Sequence, residues 1–148
     1  MSRIVEATGC EIVLSSSWRA SDAAIRVVVG RLRSHGSAAL RAAVSREPLL
    51  TTDLRAHTVR QWEIAAFLER CCNAERGLPV IEAWCALDDE PLVDGPEQVR
   101  YRSLFVGRAA FVDSKSGLQD EHVHEAIAAL KSPIDPPGRV WLPAKSRG

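Results

Sequence analysis

The sequence predicts an α/β fold in three layers: a mostly parallel sheet with helices on both faces. Three observations predict it. Apolar runs at Glu11–Ser15, Val80–Leu87 and Leu104–Val112 alternate with helical stretches, the pattern of strand–helix–strand units. The first run breaks into hydroxyls and a basic residue at Ile12-Val13-Leu14-Ser15-Ser16-Ser17-Trp18-Arg19, the way a strand leading into a helix forms an anion site. The second runs directly into Asp88-Asp89. Both polar groups therefore fall at the C-terminal ends of strands, where parallel sheets collect their ligands.

Each element has a local reason. Arg3–Thr8 reads as the end of a helix stopped by Gly9, which takes the left-handed conformation at least cost. Glu11–Ser15 is a short buried strand. Ser21 and Asp22 are N-cap candidates for a helix over 22–34 that ends near Gly36, and the alanine-rich stretch 37–46 is helical too. Pro48 and Thr51-Thr52-Asp53 mark 47–54 as a loop. From Thr58 to Cys72, Trp62, Ala65, Ala66 and Leu68 recur at helical spacing, and Gly77 and Pro79 end that segment. Val80–Leu87 is the second strand. Leu104–Val112 is the third, with Gly107 and Arg108 as interrupters. Glu121–Leu130 is the last amphipathic helix, closed by Pro133, Pro136 and Pro137.

Composition narrows the function classes. The 148 residues are 46% hydrophobic and 26% charged, as in ordinary globular domains, with 19 basic and 19 acidic side chains and zero formal charge. That balance excludes a general nucleic-acid or membrane-surface binder, both of which need accumulated positive charge. Arg26, Arg31 and Arg33 form only a local basic stretch. No run approaches the ~20 apolar residues of a membrane helix. Cys10, Cys71, Cys72 and Cys85 form no CxxC pair, which disfavours a structural zinc site. The start MSRIVEATGCEIV lacks the apolar core of a secretion signal, so reduced thiols and a cytoplasmic location are expected.

Four sets of residues bear on the chemistry. Adjacent carboxylates after an apolar strand are costly without a cation, and magnesium takes such oxygens readily. Asp88-Asp89 in Asp-Asp-Glu-Pro suits a solvated turn equally well. Arg60 and Glu63 share a face at the front of the clearest helix. A cation there opposes the helix dipole, which points to a phosphate or clustered carboxylates, or else to a plain surface arginine. His122 and His124, two apart, lie on different sides of a helix and read as ordinary side chains. Trp18, Trp62, Trp84 and Trp141 read as packing, with Trp18 next to the proposed phosphate turn.

The order of these motifs resembles the haloacid dehalogenase-like (HAD) superfamily, and is similar to the small HAD domains of multidomain RNA-repair proteins. The residues that carry the resemblance are 12–19, Arg60-Gln61-Trp62-Glu63-Ile64 with Phe67-Leu68, Trp84-Cys85-Ala86-Leu87-Asp88-Asp89, and Phe111-Val112-Asp113 with Gly117-Leu118. The resemblance implies a Rossmann-like core over 1–132 and a loosely packed tail over 133–148. It implies Mg2+-dependent phosphoryl transfer of the phosphatase type, on a phosphorylated small molecule or a nucleic-acid end. Ser16, or Ser15 in the other register, would hold the phosphoryl group, with Ser17 and Arg19 beside it. Arg60 would neutralise charge, and Asp88 and Asp89 would anchor the metal.

The family's first strand ends in Asp-x-Asp and supplies the nucleophile. No Asp-x-Asp occurs anywhere in the 148 residues, and the only acids before Ser15 are Glu6 and Glu11. The resemblance therefore implies a core lacking its first strand, which belongs between the strands carrying the serine and the acidic pair. It implies an inactive domain as the chain stands, truncated from a longer protein in which Met1 is internal. The competing expectation is a non-catalytic module that binds phosphate, nucleotide or protein.

Overall fold

A computed structural model describes residues 1–15, 17–47, 49–53, 59–135 and 138–140, with only the backbone of Trp18. The fold is α/β, with parallel strand pairs among helices. Helix α1 (Ser2–Thr8) ends on Gly9, whose positive φ of 65° turns its N–H onto the Val5 carbonyl. Strand β1 (Val13–Leu14) leads into a 3₁₀ turn at Ser17–Ala20. Helix α2 (Asp22–His35) is capped by Ser21, which accepts from the Ala24 N–H, and α3 (Ala38–Ala43) by Ser37, which accepts from the Leu40 N–H. Strand β2 is Leu50–Thr51, and α4 is Arg60–Cys72. Strand β3 (Ala86–Asp88) is followed by a 3₁₀ turn at Pro96–Tyr101, helix α5 (Arg102–Phe105), strand β4 (Ala109–Phe111) and α6 (Asp120–Leu130).

Three expectations are corrected. A strand, β2, lies inside the stretch read as a loop, because Leu50 and Thr51 pair with β1 rather than forming a turn. The run Val80–Leu87 yields a strand only from Ala86. Before it, the Glu82 carbonyl accepts from the Ile134 N–H and the Ile81 carbonyl from the Gly138 N–H, which ties 79–85 to the C-terminal segment rather than to a ladder. The run Leu104–Val112 splits into the end of α5 and β4, with Gly107 at φ 75° making the break.

The pairing decides the rest. Strand β1 pairs parallel with β2, and β3 parallel with β4; among the described residues no strand joins the two pairs. Strand β3 is covered on both faces because successive side chains alternate. Ala86 belongs to the main core with Ile64, Phe67 and Leu68 of α4, Trp84 and Phe105, whereas Leu87 packs with Ile4 of α1 and Val123 and Ala126 of α6. A third cluster joins Val5, Leu40 and Val44, with α2 resting on it through Val29 and Leu32. Ile134 and Val140 pack with the main core. No described helix is long and apolar enough to cross a membrane.

Candidate functional site

Strand direction brings the chemistry together. The chain leaves β1 at Ser15 and β3 at Asp88, and helix α4 opens with Arg60 beside both. The Ser15 carbonyl accepts from Nη1 of Arg19 and from Nη1 of Arg60. On its other side, Arg60 Nε stands 3.2 Å from Oδ2 of Asp88. One guanidinium thus links the ends of the two strand pairs.

Glu63 completes the junction. Its Oε2 accepts from Arg19 Nη2 at 2.7 Å and from Arg60 Nη1 at 2.6 Å, and all three side chains are buried. Arg19 Nε also donates to the Thr52 carbonyl just past β2, at 3.1 Å. The spacing of Arg60 and Glu63 put them on one face, but nothing in the sequence signalled Arg19, 44 residues away, as the second partner. Glu90 is a further member that sequence reasoning missed: its Oε1 lies 3.2 Å from Arg60 Nη2. Its place so soon after Asp88-Asp89 was the available signal.

Asp88 is the buried acid of the rim. Its Oδ1 accepts from the Glu90 N–H at 3.1 Å, closing a tight turn. Burial pushes its carboxyl above the ordinary range, outweighing the Glu90 N–H and the Arg60 charge, both of which pull it down. The Arg60–Asp88 contact is a charge pair without hydrogen-bond alignment, and Arg60 Nε–H is buried with no hydrogen-bond acceptor among the described residues.

Gln61 and Trp62, next on α4, fix the acidic loop. Gln61, fully buried, donates through Nε2 to the carbonyls of Leu92 at 2.9 Å and Gln98 at 2.8 Å. Trp62 Nε1 donates to the Glu97 carbonyl at 3.1 Å.

The other site residues named from the sequence stand as follows. Ser15 is half-buried at the junction and Arg19 is buried within it. Ser17 is exposed where the 3₁₀ turn begins, and Asp89 is exposed beyond Asp88. Ser16 lies outside the described residues. Asp113, the last acid of the matching motifs, accepts through Oδ1 from the N–H groups of Lys115 and Ser116, which hold its carboxyl below the usual range and shape the turn before α6. His122 serves α6 as a cap partner, its Nδ1 accepting from the Gln119 N–H. Cys71 and Cys85 are both pushed up to about 11, mainly by burial, which suits packing rather than thiolate chemistry.

The rim thus combines a backbone carbonyl, two buried guanidiniums and three carboxylates. In charge, the junction sets two guanidiniums against three carboxylates. No curated protein and no solved structure matches the chain. A family model does match, over residues 1–123, and it is described as the HAD domain in Swiss Army Knife RNA repair proteins. The motif order, the parallel strand pairs and this match over most of the chain agree: the protein belongs to that family of HAD domains.

Proposed function

We propose that this domain is the phosphate- and metal-binding part of a phosphatase-type hydrolase, and that its two parallel pairs are the halves of one three-layer sheet. The family supports a hydrolase-like domain. The observation that carries the finer reading is Arg60: a buried guanidinium at the meeting point of both strand ends, with Nε–H lacking an aligned acceptor. Since Nη1 is engaged by Ser15 and Glu63 and one N–H of Nη2 by Glu90, the Nε–H and the other N–H of Nη2 are the donors left for a phosphate oxygen. In this reading the Ser16 hydroxyl, or that of Ser15, holds the phosphoryl group, and Ser17 and Arg19 border it.

The donor set fits magnesium. Three carboxylates, Glu63, Asp88 and Glu90, face the guanidiniums of Arg19 and Arg60, leaving the junction short of positive charge. Among the described residues no group of three or more His, Cys, Asp or Glu could hold an ion by itself. Magnesium commonly takes only one or two carboxylates and keeps its waters, so Asp88 and Asp89 suffice. When bound, the ion neutralises phosphate charge. Arg60 orients the phosphate, Glu63 holds Arg60 in place, and the Glu90 N–H fixes the Asp88 carboxylate.

Turnover is another matter. Covalent phosphoryl transfer of this type needs a carboxylate nucleophile, and Asp-x-Asp is absent from the sequence. The chain as it stands therefore binds a phosphomonoester, with an RNA end as the preferred class given the family, and does not hydrolyse it. The same absence favours a second reading, a phosphate-binding module with no catalytic role. Calorimetry with inorganic phosphate and Mg2+ tests the shared core. Saturable heat that disappears in Arg60→Ala is expected, and absence of heat in the unmodified chain sinks both readings. Fusing an upstream strand that ends in Asp-x-Asp separates them, because only the hydrolase gains p-nitrophenyl phosphate turnover.

A further inference from the structure

Arg60 meets three carboxylates, and they hold it unequally. Glu63 Oε2 accepts from its Nη1 at 2.6 Å and is shared with Arg19. The Asp88 carboxylate, 3.2 Å from Nε, is tied down by the Glu90 N–H. Both of these side chains are only 6% exposed. Glu90 differs on every count. Its side chain is 50% exposed, its Oε1 stands 3.2 Å from Nη2, and among the described residues its carboxylate makes no other contact. A hydrogen bond between charged groups normally closes to about 2.7–2.9 Å, so this one is loose. Exposed pairs of this kind contribute little, whereas breaking a buried pair is costly. The carboxylate that can leave the junction is therefore Glu90.

Glu90 stands on a nitrogen that an incoming anion needs. Nε–H and Nη2–H lie side by side on the guanidinium, a fork that suits two oxygens of one phosphate. Two acceptors on the same NH2 group stand about 5 Å apart, close enough for like charges to oppose each other. Total charge points the same way. Two guanidiniums already face three carboxylates, and a phosphate deepens that deficit. With Glu90 turned out to water, they face only the buried pair, Glu63 and Asp88. The backbone need not move for this, because the Glu90 N–H stays on Asp88 Oδ1 whatever its side chain does.

We infer that Glu90 is an internal competitor for phosphate: its carboxylate occupies Arg60 until a phosphate oxygen takes Nη2. The inference rests on the reading that Arg60 receives the phosphate, and it names the residue that sets the threshold for entry. Anions that bind Arg60 weakly, chloride among them, do not displace Glu90. A doubly charged phosphate does.

Glu90→Gln tests this, since the amide keeps the side chain's size and the backbone N–H while losing the charge. Inorganic phosphate is titrated by calorimetry, at a fixed Mg2+ concentration, into the full chain and into the variant. The variant is expected to bind about fivefold more tightly, the most that an exposed ion pair withholds, with Tm unchanged. Occupancy is read separately, in chain labelled with 13C at the glutamate carboxyls, the Glu90 resonance being assigned by its absence in the variant. Saturating phosphate is expected to move that resonance to the free-carboxylate position, and sodium chloride at matched ionic strength to leave it in place. A Glu90 resonance unmoved by phosphate, or moved equally by chloride, overturns the proposal. So does weaker phosphate binding by the variant, which assigns Glu90 to the cation instead. Equal affinity in the two chains overturns this inference alone and leaves the phosphate reading standing, whereas no heat in either chain takes down both.

Discussion

The β1–β2 half and the β3–β4 half share one plan: a parallel pair whose first strand delivers a polar group to the rim. They differ in what holds them. Strand β3 lies between two clusters of apolar side chains, and the Trp84–Phe105 edge-to-face pair, with centroids 5.1 Å apart, anchors its side of the core. Strand β1 is only half-buried at both residues, and its end is fastened by buried charge, Arg19 and Arg60 on the Ser15 carbonyl with Glu63 between them. One half is secured by area and the other by electrostatics. Packing tolerates changes of pH and salt; a buried ion cluster depends on every member staying charged.

The contrast can be broken most severely from the packed side. Phe105→Ala removes a ring with no exposed surface and is expected to cost about 3–5 kcal/mol in urea unfolding. Next comes Glu63→Ala, which removes the buried carboxylate shared by Arg19 and Arg60 and is expected to cost about 3 kcal/mol. Hydrogen exchange sharpens that test. Val13, Leu14, Leu50 and Thr51 amides are expected to lose protection first, while those of β3 and β4 hold. Uniform loss across all four strands means that the halves are not separately secured.

A smaller effect concerns Asp88. Its folded carboxyl titrates above the unfolded value, so the folded state holds this proton more tightly. The contribution is fully present below the ordinary carboxylate value and is lost as pH rises through the raised one. In chelator, Asp88→Asn is therefore expected to flatten the decline in stability across that window and to gain a fraction of a kcal/mol at neutral pH. An unchanged pH profile refutes this. Outside both halves, Ser21→Ala removes the cap of α2 at a cost of about 1 kcal/mol and disturbs neither of them.

What was legible in the sequence follows from the range of the interactions. Gly9 and Ser21 mark helix ends because their contacts reach only a few residues. Strand β2 was hidden: two residues after Pro48 and before Thr52-Asp53 look like a turn, and only pairing with β1 makes them a strand. The overlong strand at Val80–Leu87 failed the opposite way. Ile81 and Trp84 are apolar because they are buried, yet the backbone there bonds to the C-terminal segment. At the rim, Arg60 stood out because a cation opposes the helix dipole at that position. Glu63 became meaningful only when the fold brought Arg19 to it across 44 residues.

Gln61 carries a mechanical consequence. Consecutive residues of α4 hold the rim cation and, through two carbonyl bonds, the loop that follows the acids. Any shift of that helix carries Arg60 and the tethered loop as a single block. Widening the space beside β1 therefore costs the bonds of α4 to Ser15 and Arg19 while leaving the grip on Asp88 intact, so the cluster divides on its β1 side first.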